Sequence, residues 1–107
     1  MESSAKFDVD AVLKERGREK FDVDAVLKER GREYGPFIDQ AMLTQSIKLA
    51  MRDGKNWNSL LPDMKESLEM VAHKIARILN GNPNNLDSWV DIEGYVHLVV
   101  KRLNQIR

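Results

Sequence analysis

The 107-residue chain has no cysteine, which excludes a disulfide-stapled scaffold, a thiolate metal site and a cysteine nucleophile. It has no net charge, because 17 Lys and Arg stand against 17 Asp and Glu. A balanced chain exerts no global attraction on nucleic acid, so nucleic acid is not an expected partner. No apolar run approaches the ~18 residues that a membrane-spanning helix needs. The opening stretch, residues 1–10, is acidic and polar and unlike a secretory signal, so the expected compartment is the cytoplasm. A glycine-rich phosphate loop, a zinc HExxH pattern and a serine-hydrolase elbow are all missing. What is present, 42% apolar and 32% charged residues, fits one small soluble domain.

Part of the length is repetition. Residues 6–19 read KFDVDAVLKERGRE, and residues 20–33 read the same fourteen residues again. Two adjacent copies fall short of the three or so that a stacked array needs, which favours a duplication over a functional tandem. Each copy encodes about two to three helical turns. Asp8 or Asp22 can cap the helix by accepting from free first-turn amides. Val9, Val12 and Leu13 then share a face, as do Val23, Val26 and Leu27. Gly17 and Gly31 stand where such a helix would end. The second copy runs directly into Tyr34-Gly35-Pro36 and is the expected native first helix. The organisation read from this is an amino-terminal segment over 1–21, holding the first copy, and a single helical domain over 22–107. The first copy is either a displaced extension or a segment that pairs with a neighbouring molecule.

Three more helices follow. Pro36 opens the next, which runs to about Arg52 and stops at Asp53-Gly54. It carries two apolar stripes, Ile38, Met42, Gln45 and Leu49 on one and Leu43, Ile47, Ala50 and Met51 on the other. Two stripes predict contacts to more than one partner element, and hence an oligomer, a dimer or tetramer of the chain. Trp57 anchors the linker that follows, and is read as packing over the helix ends. Pro62 to Leu79 forms the third helix, with Met64, Leu68, Val71, Ala72, Ile75, Ile78 and Leu79 on a continuous apolar face. Residues 80–85, rich in Asn, Gly and Pro, make a stop and turn. The fourth helix runs from about Asp87 to Ile106, with Trp89, Ile92, Val96, Val99, Val100 and Leu103 toward the core. No segment alternates like a strand, so the predicted fold is all-α: an antiparallel bundle of about four helices.

The acids carry the chemical question. Glu66 and Glu69 are three apart, and Asp87 and Asp91 four apart, so each pair shares a helix face. Two facing helices can then present four carboxylates to Mg²⁺ or Mn²⁺, which would hold a phosphate and activate water. His73 can join the site, and Lys74 and Arg77 can neutralise phosphate oxygens. The competing reading is a solvated face: Glu66, Glu69, His73 and Arg77 lie opposite the apolar stripe, and Glu69–His73 is an ordinary i,i+4 spacing. Gly94, on the Asp87–Asp91 side, costs helix stability, and predicts either close approach of another helix or room for a ligand. His97 reads as a boundary residue and Tyr95 as a core-edge residue with a wet hydroxyl or a pocket-rim group. Trp57 and Trp89 read as packing residues. Lys101, Arg102 and Arg107 are too few to make a nucleic-acid face.

The stretch His73-Lys74-Ile75-Ala76-Arg77-Ile78-Leu79-Asn80-Gly81, followed by Asp87-Ser88-Trp89-Val90-Asp91-Ile92-Glu93-Gly94-Tyr95, resembles a group of small phage and prophage proteins. These carry an HKxARIxxG helix, a polar turn and a DxxxDxxGY helix. Arg30-Gly31-Arg32-Glu33-Tyr34-Gly35 resembles the ERGxxYG opening of the same group, so the likeness covers about residues 22–103. The group in turn is similar to the all-α nucleoside triphosphate pyrophosphatases of the MazG kind and to phage nucleotide-modification-associated domains. The resemblance implies a helical oligomer in a bacterial host cell, with a nucleotide ligand and Mg²⁺ held by an ExxE pair and an E/DxxD pair. Glu66 and Glu69 match the first pair and Asp91 the last acid of the second. Ser88 stands where its first acid belongs, with Asp87 adjacent. By that likeness Glu66, Glu69 and Asp91 would be catalytic, Asp87 a further metal ligand, and His73, Lys74 and Arg77 on the phosphate side. The implied reaction is attack of water on a nucleoside triphosphate with release of pyrophosphate. The alternative is a non-enzymatic helical oligomerisation or interaction protein.

Overall fold

The computed structural model describes residues 22–106. They form an all-α bundle: α1 (Val23–Tyr34), α2 (Phe37–Arg52), a 3₁₀ turn (Trp57–Ser59), α3 (Pro62–Asn80) and α4 (Leu86–Gln105). Among the described residues there is no strand, and no helix is long and apolar enough to cross a membrane. The first repeat copy lies outside the described residues; residues 23–33 of the second copy lie in α1.

Local chemistry fixes the helix ends. Asp22 caps α1 by accepting from the Ala25 amide at 3.1 Å. Gly31 does not end this helix, as its sequence had predicted. A Cβ there would meet nothing within 4 Å, and the helix continues to Gly35, whose φ of 79° favours glycine. Pro62 supplies the first turn of α3, where its missing N–H costs nothing. Asn85 caps α4 by accepting from Ser88 N at 3.1 Å.

α3 is central and packs against each of the other three helices. α2 and α4 run antiparallel to it. The register with α4 is set by three cross-links: Asp63 with Arg102, Ser67 Oγ donating to the Tyr95 carbonyl at 2.9 Å, and Lys74 with Asp91 at 2.8 Å. α1 is joined to the carboxyl end of α3. Asn80 Nδ2 donates to the carbonyls of Tyr34 (2.9 Å) and Pro36 (3.1 Å), and the Asn82 amide donates to the Glu33 carbonyl at 2.7 Å. This joint requires glycine twice. A Cβ on Gly35 would fall on the Asn80 carbonyl, and one on Gly81 on the Glu33 carbonyl and the Tyr34 backbone.

The buried residues are small or polar: Gln40 and Thr44 of α2, Ser67, Ala72, Lys74 and Ala76 of α3, and Ser88 of α4. Small side chains let the backbones approach closely, and the larger apolar residues end up on the flanks. Ile38, Met42 and Leu49, one of the two predicted stripes of α2, are each 65% exposed. Trp89, Val96, Val100 and Leu103 of α4 had been expected in the core; all four are exposed. Leu68 and Leu79 of α3 are exposed as well, although Ala72 of the same predicted face is fully buried. The groove between α3 and α4, about 260 Å³, is lined by Leu60, Met64, Leu68, Val96 and Val100. Trp57 is half-buried, with the Lys65 ammonium 5.8 Å from its ring centroid.

Candidate functional site

The polar side of α3 is built from residues at helical spacing: Glu66, Glu69, His73 and Arg77, with Lys74 toward α4. Lys74 and Glu69 are five residues apart and so point roughly 140° apart around the helix. They therefore serve different neighbours. Lys74 is buried against α4 and binds Asp91 at 2.8 Å. Glu69 faces α2 and pairs with Arg52 at 3.5 Å. Its i,i+4 neighbour His73 is not the partner that spacing proposed.

The acids do not converge within one chain. Among the described residues there is no group of three or more His, Cys, Asp or Glu placed to hold a metal ion. The register explains this. With Ser67 opposite Tyr95 and Lys74 opposite Asp91, Asp87 lies about 15 Å along the helix axis from Glu66. Glu66 and Asp87 are exposed, and Asp91 and Glu69 are each neutralised by a cation. The assignment of Glu66, Glu69, Asp87 and Asp91 to one Mg²⁺ or Mn²⁺ site was drawn from their spacings on separate helices. Antiparallel stagger, which spacing does not encode, separates them.

The cations do gather. His73 is half-buried, and its pKa is lowered first by loss of water and then by the charges of Arg77, Lys74 and Lys48. Arg77 lies over the Tyr34 ring, 4.0 Å from its centroid, and its buried Nε has no hydrogen-bond acceptor. Sequence reading placed Arg77 near phosphate but missed Tyr34 and Arg30 beside it. All three residues belong to segments already singled out, yet nothing in their spacing shows that α1 crosses the end of α3.

No family model, curated protein or solved structure matches this chain. The geometry therefore stands alone. It does bring the three singled-out stretches together. Glu33, Tyr34 and Gly35 meet Arg77 and residues 80–82, Glu33 Oε1 accepts from Asn85 Nδ2 at 2.7 Å, and Lys74 meets Asp91.

Gly94 is exposed, and a Cβ there would meet nothing within 4 Å, so no described helix approaches it. It lines a shallow surface depression with Val90, Asp91, Tyr95, His97 and Leu98. His97 is exposed and Tyr95 half-buried. Trp89 is anchored by Nε1 donating to the Pro83 carbonyl at 2.8 Å, with its ring left exposed.

Proposed function

We propose that the chain acts as an assembled homo-oligomer, a helical interaction protein whose hydrophobic core is completed between copies. The observation that carries this reading is the outer stripe of α2. Ile38, Met42 and Leu49 project from the side opposite Gln40 and Thr44, which pack inward. Gln45 is the one polar residue within that stripe, and no charged residue lies among them. Monomeric proteins rarely expose contiguous apolar patches beyond a few hundred Å². The apolar groove over α3 and α4 adds a second such surface. Sedimentation velocity over a wide concentration range tests the reading. The expected result is a dimer or larger species at micromolar concentration. A monomer persisting at about 100 µM removes it.

A second reading is favoured by one specific observation, the meeting of the three singled-out stretches around Lys74, Asp91 and Arg77. It is a divalent-metal-dependent nucleoside triphosphate pyrophosphohydrolase, as the resemblance implies, or a nucleotide-binding protein without turnover. In this reading Mg²⁺ or Mn²⁺ sits among Glu66, Glu69, Asp87 and Asp91, with His73, Lys74 and Arg77 toward the phosphates. It requires Asp91 to leave Lys74 and Glu69 to leave Arg52, and further ligands from a neighbouring copy, because the register holds Asp87 away from Glu66. Pyrophosphate release from a nucleoside triphosphate panel, lost in Asp91→Ala, is its expected signature. Absence of metal binding and of turnover leaves assembly alone.

A further inference from the structure

We propose that the cleft between α1, α2 and α3 binds a small organic oxyanion, a phosphate or carboxylate carried on an apolar ring. The cleft has a volume of about 360 Å³ and is lined by Leu27, Arg30 and Tyr34 of α1, Phe37 and Gln40 of α2 and Arg77 of α3. That volume is within the range of small-molecule sites.

Arg77 lines the cleft from the carboxyl-terminal part of α3. Its Nε is cut off from solvent and has no acceptor, and no carboxylate pairs with it or with Arg30 among the described residues. An Nε–H that loses water without gaining an acceptor costs stability. The Tyr34 ring offsets only part of that cost, because the ring quadrupole is a weaker partner than a full negative charge. Nε itself is closed to the cleft, so an anion entering it meets Arg77 through the remainder of the guanidinium. The cleft supplies positive charge from two arginines and no acid is among its lining residues. The planar guanidinium fork matches the paired oxygens of a phosphate or carboxylate.

The rest of the wall specifies the ligand body. Leu27, Phe37 and the Tyr34 ring are apolar surfaces that an inorganic ion would not use. Phe37 is three-quarters exposed and free to cover a ring. Gln40 is buried in the floor and offers an amide. The surrounding field has the same sign: Arg77, Lys74 and Lys48 all bias His73 toward its neutral form. The site shares Arg77 with the second reading, but it involves none of the acids and needs no metal, so binding of the probes without metal tests it apart from both readings.

The test uses the full chain and four probes: phenyl phosphate, benzoate, inorganic phosphate and phenol. The readouts are calorimetry and the Arg77 Nε–Hε NMR resonance. At least one of the two aromatic anions is expected to move that resonance saturably, with a Kd of about 1 mM or tighter. Whichever anion binds more tightly identifies the head group. Inorganic phosphate is expected to bind at least ~10-fold more weakly, and phenol not at all. Arg30 lies on the exposed side of α1, so Arg30→Gln should fold normally and weaken binding about 5–10-fold. The proposal is overturned if neither aromatic anion saturates by roughly 20 mM, if phenol or inorganic phosphate binds as well, or if Arg30→Gln changes nothing.

Discussion

Along α3, the surfaces that meet α2 and α4 are closed by Ser67, Ala72, Lys74 and Ala76, while the outer side of α2 and the α3–α4 groove hold Ile38, Met42, Leu49, Leu68 and Val96 in solvent. The closed side is a set of close approaches and polar cross-links. The open side holds the large apolar residues that normally fill a core. The difference teaches where the folding energy of this chain resides. Small and polar contacts fix the register of the helices, and hydrophobic burial, the dominant favourable term in folding, is only partial in a single copy, with Val71, Ile75, Ile78, Ile92 and Val99 half-buried.

The largest way to break this comparison is to charge the open side. Met42→Asp with Leu49→Asp is expected to turn the oligomer into a monomer, weakening association at least ~100-fold, since each lost apolar side chain is worth about 1.5–3 kcal/mol of burial. Sedimentation checks it. An unchanged species would mean that the open side of α2 is not the interface. On the closed side, Gly81→Ala drives a methyl into the Glu33 carbonyl and the Tyr34 backbone. The expected loss is about 2–3 kcal/mol, read as a thermal midpoint lower by roughly 10–20 °C. Gly31→Ala, in open space, should not destabilise and serves as the control.

These two sides were not equally legible in the sequence. Capping by Asp22, the stops at Gly54 and Gly81 and the Pro62 start are local chemistry, and the helices begin and end there; the stop expected at Gly31 is overridden, and α1 runs on to Tyr34. The chain's α-helical class follows from the same signals. What spacing does not carry is stagger and depth. Glu66 and Asp87 each sit in a good metal-ligand pattern on their own helix, yet the antiparallel register parts them. Val96 and Leu103 share a face with core-like periodicity, and periodicity alone does not distinguish a face buried by the same chain from one awaiting another. The crossing of α1 over the end of α3, and with it the Arg30–Tyr34–Arg77 cleft, depends on glycines whose role appears only when Asn80 and Glu33 are seen against them.

A smaller effect sharpens the meaning of the closed side. Lys74 is buried while the Asp91 carboxylate is about half-exposed. Asp91→Asn leaves an uncompensated ammonium and should cost about 1–2 kcal/mol, less than a fully buried pair because solvent screens the carboxylate. Lys74→Met with Asp91→Asn should recover most of that stability in chemical denaturation, because the charge that needed a partner is gone. Failure of the double variant to recover would assign Lys74 a packing role beyond its charge.

Smaller again is the pH response of His73. Its folded pKa lies below the ordinary 6.5, first through loss of water and then through Arg77, Lys74 and Lys48. The unfolded chain therefore takes up a proton at a pH where the folded chain resists it. The stabilisation from the neutral ring is fully present above pH 6.5 and is lost as the pH falls toward the lower folded value. Stability should decline gently in that window, and His73→Asn should flatten the decline. A second and separate loss is expected at lower pH, where Asp63, held below its ordinary 3.8 chiefly by the Arg102 hydrogen bond, takes up a proton.

The smallest expected effect comes from removing the first repeat copy. Deleting residues 6–19 leaves the second copy running unchanged into Tyr34-Gly35-Pro36. Only the second copy has the residues that make the joint. Tyr34 stacks under Arg77, and Gly35 passes over Asn80 with a positive φ. The first copy is followed by Lys20 and Phe21 at the corresponding positions, so it has neither the ring nor the glycine. Its Val, Leu and Asp pattern encodes the same short amphipathic helix, which is marginal alone. The deletion should therefore leave the circular dichroism spectrum, the thermal midpoint and the sedimentation of the oligomer unchanged. A change confined to sedimentation would show that the first copy covers part of the open side on a neighbouring molecule. A change in the thermal midpoint would show that it contributes to the fold itself.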